Sequence, residues 1–184
     1  MHNNLLSLDK FNIDLSFISI PFKDLDIYPV DGSLSQMQSS YFWSQQIAIW
    51  IKFIQLDKKF KCPEIVRSAS KLSLGLELTD DEKILELNKT WLGKAKSTDV
   101  LSFPIIDETL NFDSSGCIEL GDIVIAVPTA INQAKENNIN LITELRWLVS
   151  HGLLHLLGWD HCDEESLNQM LKTQEQLLDL GGIV

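Results

Sequence analysis

The 184-residue sequence is poor in cysteine and has no long apolar run, and each shortage excludes a class of protein. Its three cysteines, Cys62, Cys117 and Cys162, are an odd number and lie far apart, which argues against a disulfide framework. The longest mainly apolar stretch, 47–56, is far shorter than the roughly 20 residues that a membrane helix needs. The N-terminus has no basic region leading into an apolar stretch, so we expect no secretion signal and a cytoplasmic location.

Positive charge is also scarce. Lysine and arginine number 15 against 26 acidic residues, which gives a formal charge of −11. This balance opposes loose adhesion to nucleic acids or anionic membranes, so any nucleic-acid partner must be bound locally, by weak and salt-sensitive contacts. Hydrophobic residues at 45% and charged residues at 22% are ordinary globular usage, which disfavours wholesale disorder and coiled coils. With no repeat or linker, the chain is predicted to form one domain over residues 1–184.

The apolar pattern predicts an α/β fold of the α+β type. Runs typical of strands occupy 11–17, 72–78, 100–106 and 118–127. Helices are predicted at 41–56, 64–70, 80–91, 128–136, 140–157 and 164–178. We therefore expect a single mixed sheet of about four strands covered by helices, with residues 1–40 forming a strand and an irregular N-terminal segment before a core at 41–184.

Local signals refine this prediction. Residues 21–40 are rich in proline, serine and glutamine and predict a loop, and 107–116 predict a turn. Asn140 and Asp163 are candidate N-caps of the last two helices. Trp43 and Trp50 fall on the apolar face of the 41–56 helix, where core packing is a better interpretation than ligand binding. In the last helix the following residues recur at helical spacing: Leu167, Met170, Leu171, Gln174 and Leu178.

Three of the four histidines lie within eleven residues, at His151, His155 and His161. The first two are four residues apart on a predicted helix, so their rings are one turn apart and only about 40° apart around its axis. Gly158 lets the chain leave the helix, so that His161 can approach the same point from outside. Three neutral imidazoles on a tetrahedral ion leave one position open for water, the arrangement of catalytic zinc.

Two other interpretations of the histidines are less favoured. They can be ordinary helix and loop residues, but the glycine-ended helix followed by a third histidine favours a metal site. The segment also differs from the zinc-protease pattern, because Gly152 occupies the position at which those enzymes carry a glutamate base. The sequence thus predicts one Zn²⁺ ion, bound on a helix of the C-terminal half and the turn that follows it.

The sequence resembles the YbeY family of metal-dependent endoribonucleases, also called rRNA maturation factors. The resemblance extends over about 72–178 and is densest at 151–161 and 97–104, with a third match at 121–126. It implies zinc on the three histidines, cleavage of single-stranded RNA in ribosomal RNA maturation and ribosome quality control, and a metal-hydrolase-like core. The partners that it implies are ribosomal RNA and the small ribosomal subunit, without a membrane or a nucleotide cofactor.

One position departs from the family pattern. The family has an arginine after the aromatic residue of an Asn-x-x-aromatic-Arg stretch, whereas this chain has Leu92 after Trp91. Because charge that develops in the transition state needs a cation besides the metal, Lys94 and Lys96 are candidate catalytic residues together with His151. As an alternative, both lysines are solvated loop residues, and they lack the bidentate fork of arginine.

Residues near the histidines in sequence are candidate supports. Asp160 and Glu144 can accept a hydrogen bond from a ligand imidazole, although they can also be a turn residue and a first-turn acid. Asp99 can anchor a loop or reach the site, Cys162 is expected to be a bystander thiol, and Arg146 a surface ion-pair residue.

Three functions remain open at this point. The first is a zinc endoribonuclease acting on ribosomal RNA. The second is another zinc hydrolase, such as a peptidase, which the absence of a glutamate after His151 disfavours. The third is a non-catalytic, ribosome-associated metal-binding protein, suggested by Leu92.

Overall fold

A computed structural model describes residues 11–22, 25, 34–106 and 116–180. Within them the secondary structure runs β1 (Asn12–Ser19), α1 (Leu34–Met37), α2 (Ser40–Leu56), α3 (Glu64–Ser68), β2 (Lys71–Thr79), α4 (Asp81–Leu92), β3 (Val100–Pro104), β4 (Ile118–Ala126), α5 (Val127–Glu136), α6 (Leu141–Leu156) and α7 (Glu164–Asp179). The predicted strands and helices are all present, with ends that shift by a few residues. No helix in the described residues is both long and apolar enough to cross a bilayer.

The four strands form one sheet in the order β1-β2-β4-β3. Strands β1, β2 and β4 run parallel, and β3 pairs antiparallel with β4 at the edge. Parallel neighbours cannot be joined by a tight hairpin, so the connections between them carry helices across the faces of the sheet. This mixed sheet covered by helices confirms the predicted fold class.

The sheet carries an apolar cluster on each face. Along β4, Ile123 and Ile125 belong to the main apolar cluster, which includes residues of α2, α5, α6 and α7. Val124 and Ala126 instead pack in a smaller cluster with Ile84 of α4. Because successive side chains of a strand point to opposite faces, α4 covers one side of the sheet and the other helices cover the opposite side.

Trp43 and Trp50 are fully buried, as their place on the helix face predicted. Their indole N–H groups donate to the backbone carbonyls of Met37, at 2.9 Å, and of Leu177, at 2.7 Å. A buried indole therefore keeps its polar group satisfied while its ring fills the core. The Trp50 bond also joins α2 to α7, the helix that lies beside the histidines.

Three local predictions have different outcomes. The segment 21–40 is less irregular than expected, because it contains the one-turn helix α1, whose Met37 is buried; residues 23–24 and 26–33 lie outside the described residues. The predicted turn at 107–116 also lies outside them, apart from its last residue. Asp163 caps α7 as predicted, through a 2.7 Å bond from the backbone N–H of Ser166, whereas Asn140 stands at the start of α6 without a side-chain capping bond.

Candidate metal centre

The three predicted histidines lie together in the folded chain. The Nε2 atoms of His151 and His155 are 3.1 Å apart. The ring of His161 has its centroid 5.7 Å from that of His151 and 5.1 Å from that of His155. One potential ligand atom from each residue lies within 4.8 Å of the other two. Nitrogens bound to a tetrahedral zinc at about 2.0–2.1 Å are roughly 3.3 Å apart, so a small adjustment of His161 completes such a site.

The end of α6 explains how His161 reaches the pair. Gly158 follows the helix with φ of 82°, in the left-handed region that favours glycine. The backbone N–H of Gly158 donates to the His155 carbonyl at 2.9 Å, and that of Trp159 donates to the Leu154 carbonyl at 3.0 Å. These bonds close the helix and turn the chain back across its end. The glycine-ended helix inferred from the sequence is therefore what brings the third histidine to the other two.

Hydrogen bonds fix the orientation of two of the rings. Nδ1 of His155 lies 3.0 Å from the backbone oxygen of Trp159. Nδ1 of His151 lies 3.3 Å from Oε1 of Gln174, and the Nε2 of that amide donates to the Trp147 carbonyl at 2.7 Å. Both partners of the rings are oxygens that can only accept, so each Nδ1 carries the proton and each Nε2 keeps a free lone pair. The two Nε2 atoms that face each other are thus prepared to bind a metal ion.

Burial keeps these rings neutral. It is the main cause that lowers the pKa of His151, followed by the nearby His155, and it also lowers the pKa of His155. A charged imidazole is disfavoured where water is excluded, and a neutral one is the form that binds metal. At neutral pH the pair is therefore ready to act as ligands without first losing protons.

The supporting residues differ from those predicted. The imidazole partners are Gln174 and a backbone carbonyl, whereas Asp160 accepts hydrogen bonds from the backbone N–H of His161, at 2.8 Å, and from the Cys162 thiol, at 2.9 Å. The thiol bond first, and then the backbone bond, lower the pKa of Asp160. Asp160 therefore shapes the turn that carries His161. The thiol donates to this carboxylate, and Cys162 is not among the clustered ligand atoms of the described residues.

The sequence did not predict Gln174 as the partner of His151, because Gln174 lies 23 residues further along the chain, on another helix. A signal was present, since it is a polar residue on the apolar stripe of α7 and is fully buried in the fold. A buried amide needs partners for both of its ends, and here they are His151 and the Trp147 carbonyl.

Replacing Gln174 with leucine is expected to weaken metal binding by about 10- to 100-fold, because the His151 ring loses the acceptor that fixes its tautomer. Gln174→Glu keeps an acceptor for His151 but cannot donate to Trp147, so it should retain metal affinity while losing some stability. Competition with a chromophoric chelator gives the affinities, and urea unfolding gives the stabilities. Equal affinity for the leucine variant and the parent would remove this role from Gln174.

The histidines line a cavity of about 630 Å³, which we call the histidine pocket. Its other wall is β3 and the residues just before it, and its lining is Thr98, Asp99, Val100, Leu101, Ser102, Pro104, His151, His155, Gly158, Trp159, Asp160 and His161. The two sequence motifs singled out above, 97–104 and 151–161, therefore face each other across one cavity.

Asp99 both anchors its segment and lines the pocket. Its Oδ1 accepts from the backbone N–H of Val100, at 2.9 Å, and from the Thr98 hydroxyl, at 3.1 Å. Its Oδ2 accepts from the side-chain amide of Gln133 in α5, at 2.9 Å. With both oxygens held, the carboxylate fixes the wall that faces the histidines.

Lys94 and Lys96 are exposed, and neither is among the residues that line the pocket. Their segment is held by Asn88, whose amide donates to the Lys96 carbonyl at 2.6 Å. The segment leads directly into the pocket wall at Thr98. The structure thus places the two lysines at the approach to the pocket rather than inside it.

Arg146 and Glu144 are more buried than predicted. Arg146 donates to the Leu178 carbonyl at 2.7 Å, which joins α6 to α7 in place of a surface ion pair. Glu144 is only 5% exposed. Burial, and next the charge of Asp99, raise the pKa of its carboxyl group. Neither residue hydrogen bonds to a histidine ring among the bonds of the described chain, so Glu144 is a buried acid beside the Asp99 wall.

Glu144→Gln is expected to stabilise the metal-free protein at about pH 7. Because the pKa is raised in the folded state, the unfolded chain loses its proton first as the pH rises above 4.5, and the folded state becomes relatively less stable. Glutamine removes this penalty, so the gain should shrink as the pH falls and disappear below 4.5. Urea unfolding at both pH values measures it, with the exposed Glu86→Gln as control. A gain independent of pH would contradict this assignment.

Comparison with known proteins extends the resemblance beyond its motifs. A model of the family described as endoribonuclease YbeY matches residues 36–181. A protein named endoribonuclease YbeY from Prochlorococcus marinus strain NATL2A is 59% identical over 184 residues, covering 100% of both chains. One of the same name from strain MIT 9313 is 55% identical over 181 residues and covers 97% of each.

Similarity to a solved structure supports the fold. The solution structure of TM1509 from Thermotoga maritima matches with a TM-score of 0.55 and 20% identity, covering 91% of this chain and 89% of that one. At this identity the match concerns the fold alone. The sequence matches are far stronger and run through the histidine segment and both walls of the pocket. The chain therefore belongs to the endoribonuclease YbeY family.

Proposed function

We propose that the chain is a zinc-dependent endoribonuclease that cuts single-stranded RNA during ribosomal RNA maturation and ribosome quality control. The observation that carries the proposal is the convergence of three imidazoles, two of them with Nε2 fixed as the free nitrogen, in a cavity of about 630 Å³. The names of the relatives supply the substrate class. The small ribosomal subunit in the cytoplasm is the proposed setting.

The donor set fits zinc. Three neutral imidazoles without a carboxylate or thiolate suit a borderline ion, and this ligand number is that of catalytic rather than closed structural sites. His151, His155 and His161 would hold the ion. When bound, zinc lowers the pKa of coordinated water and polarises a phosphoryl oxygen, either of which promotes phosphodiester cleavage.

The remaining groups of the pocket position the substrate. The wall formed by Thr98 to Ser102 is fixed by the bonds of Asp99, so a strand laid in the pocket meets a surface that is already ordered. Lys94 and Lys96, at the approach to this wall, can attract a phosphate and offset the negative charge that develops on it.

The structure weighs against the peptidase alternative. Gly152 stands where the zinc-protease pattern has glutamate, and a Cβ there would lie 2.8 Å from the Cγ2 atom of Ile123 and 3.1 Å from the Ser102 hydroxyl. A side chain at this position would crowd strands β3 and β4, so the packing of α6 on the sheet leaves no room there for a glutamate base.

The test is cleavage of a single-stranded ribosomal RNA fragment by the purified chain loaded with one equivalent of zinc. We expect cleavage that a chelator stops, that zinc restores and that His151→Ala lacks. A zinc-loaded parent that leaves the RNA intact and behaves like His151→Ala would refute the proposal. A large gain from near zero in Leu92→Arg would favour the non-catalytic alternative, and metal-dependent cutting of a peptide library would favour the peptidase.

A further inference from the structure

Trp159 joins a second lysine-bearing segment to the wall of the histidine pocket. The indole N–H of Trp159 donates to the Lys61 carbonyl at 2.8 Å, while the backbone oxygen of the same tryptophan faces Nδ1 of His155 at 3.0 Å. Residues 57–63, here called the lysine loop, are therefore separated from a predicted metal ligand by a single residue. Trp159 itself lines the pocket.

The lysine loop is held in a defined shape. Its main support is Arg67, whose guanidinium donates to four backbone carbonyls, those of Ile54, Gln55, Asp57 and Phe60, at 3.1, 3.1, 3.4 and 2.7 Å. The Asp57 carboxylate also accepts from the backbone N–H of Lys59 at 3.0 Å. A loop fixed in this way presents its charges without a large ordering cost on binding.

The loop concentrates positive charge in an acidic chain. Lys58, Lys59 and Lys61 are all exposed. Lys59 is already paired with Asp57, at 3.0 Å. Lys58 and Lys61, within the described part of the chain, have no carboxylate at ion-pair distance. Two ammonium groups are therefore left to act on an external anion, in a protein whose formal charge of −11 otherwise repels one.

The second pair of lysines precedes the opposite wall in the chain. Lys94 and Lys96 precede Thr98 and Asp99, which line the pocket across from Trp159. The nearby Asp99 is satisfied by its own hydrogen bonds to Gln133 and the backbone. The two segments that carry these lysines thus adjoin different walls of the pocket, one through Trp159 and the other through Thr98.

We infer that the lysine loop is a phosphate-binding subsite for single-stranded RNA, through Lys58 and Lys61, on the Trp159 side of the histidine pocket. The strand then crosses the histidines and leaves past Lys94 and Lys96. Lysines that follow a nucleic-acid backbone bind it without reading sequence, because each neutralises a phosphate and releases a counterion. The inference rests on the proposed function and adds where the strand lies.

The test is the salt dependence of RNA binding by the full, zinc-loaded chain. The probe is a fluorescent, unstructured RNA of about 12 nucleotides with 2′-O-methyl and phosphorothioate groups that slow cleavage, followed by anisotropy and checked for integrity on a gel. Log affinity falls as log salt rises, and each phosphate contact to a single strand makes this slope steeper by about 0.7. Lys58→Ala/Lys61→Ala removes two contacts and should therefore make the slope shallower by about 1.4. Between about 50 and 200 mM salt the parent then loses about sevenfold more affinity than the variant.

The control removes the same charge elsewhere. Lys71→Ala/Lys172→Ala replaces two exposed lysines outside both loops and should keep the slope of the parent. Zinc stoichiometry and melting temperature should match in all three proteins, and Lys58→Glu/Lys61→Glu should weaken binding further. An unchanged slope in the loop variant, or an equal change of slope in the control, would overturn the subsite. If the parent still cuts RNA in that case, the proposed function is unaffected. A parent that neither binds nor cuts RNA overturns the proposed function and the subsite together.

Discussion

Replacing His155 with alanine is expected to abolish stoichiometric zinc binding and to lower RNA cleavage by more than about 100-fold. Loss of an outer-shell hydrogen-bond partner typically costs 10- to 100-fold in affinity or activity, so loss of a direct ligand should cost more. His155 is central to the cluster, because its Nε2 lies 3.1 Å from that of His151 and its backbone carbonyl receives the Gly158 N–H that begins the turn toward His161. Alanine keeps this backbone bond and removes only the ring.

Metal analysis by native mass spectrometry, beside a cleavage assay with ribosomal RNA, measures both effects. The control is His2→Ala, which removes the fourth histidine, outside the 151–161 segment. Circular dichroism should show the same helix content for parent and variant. One tightly bound zinc per chain in His155→Ala, with cleavage near that of the parent, would show that the cluster is not the catalytic centre.

The histidine cluster was predictable because its determinants are local. Two of its members share a helix face at a spacing of four residues, and the third follows a glycine that ends this helix. Both features depend on backbone geometry within eleven residues, so no tertiary contact had to be known. The observed φ of 82° at Gly158 is the conformation that this interpretation required.

The supports of the cluster were not predictable in this way. Gln174 reaches His151 from another helix, and the Lys61 carbonyl reaches Trp159 across 98 residues of sequence. Their proximity results from how α7 and the end of α2 pack around α6. A polar residue on an apolar helix stripe was the one available signal, and it shows burial without naming a partner.

Burial of charged residues was misjudged for the same reason. Glu144 and Arg146 lie near the start of α6, where an acidic or basic side chain is usually solvated and interacts with the helix dipole. In the fold Glu144 is buried instead, and Arg146 donates to the Leu178 carbonyl of α7. A periodic sequence pattern shows which face of a helix is apolar, but not how far neighbouring helices extend over the other face.

Gly121→Ala is expected to destabilise the protein by about 3 kcal/mol or more, which lowers the melting temperature by roughly 6–12 °C. Gly121 lies in β4 with φ of 119°, a conformation that side-chain-bearing residues rarely adopt. It sits where the pairing of β2 with β4 shifts register between Ser73 and Gly75, opposite Pro104 of β3. A Cβ atom there would lie 2.0 Å from the Phe103 backbone oxygen, and a backbone carbonyl in a paired strand cannot move aside as a side chain can.

Gly93→Ala separates strain from crowding. Gly93 also has positive φ, at 66°, but a Cβ there meets nothing within 4 Å, so it should cost only about 1 kcal/mol. Phe103 belongs to β3, whose residues form the pocket wall, so Gly121→Ala should also displace that wall. At a temperature where both variants are folded, Gly121→Ala should therefore weaken RNA cleavage more than Gly93→Ala does. Calorimetry and the cleavage assay measure the two effects, and equal melting temperatures for the two variants would mean that β3 yields to the added methyl group and that the wall is not rigid.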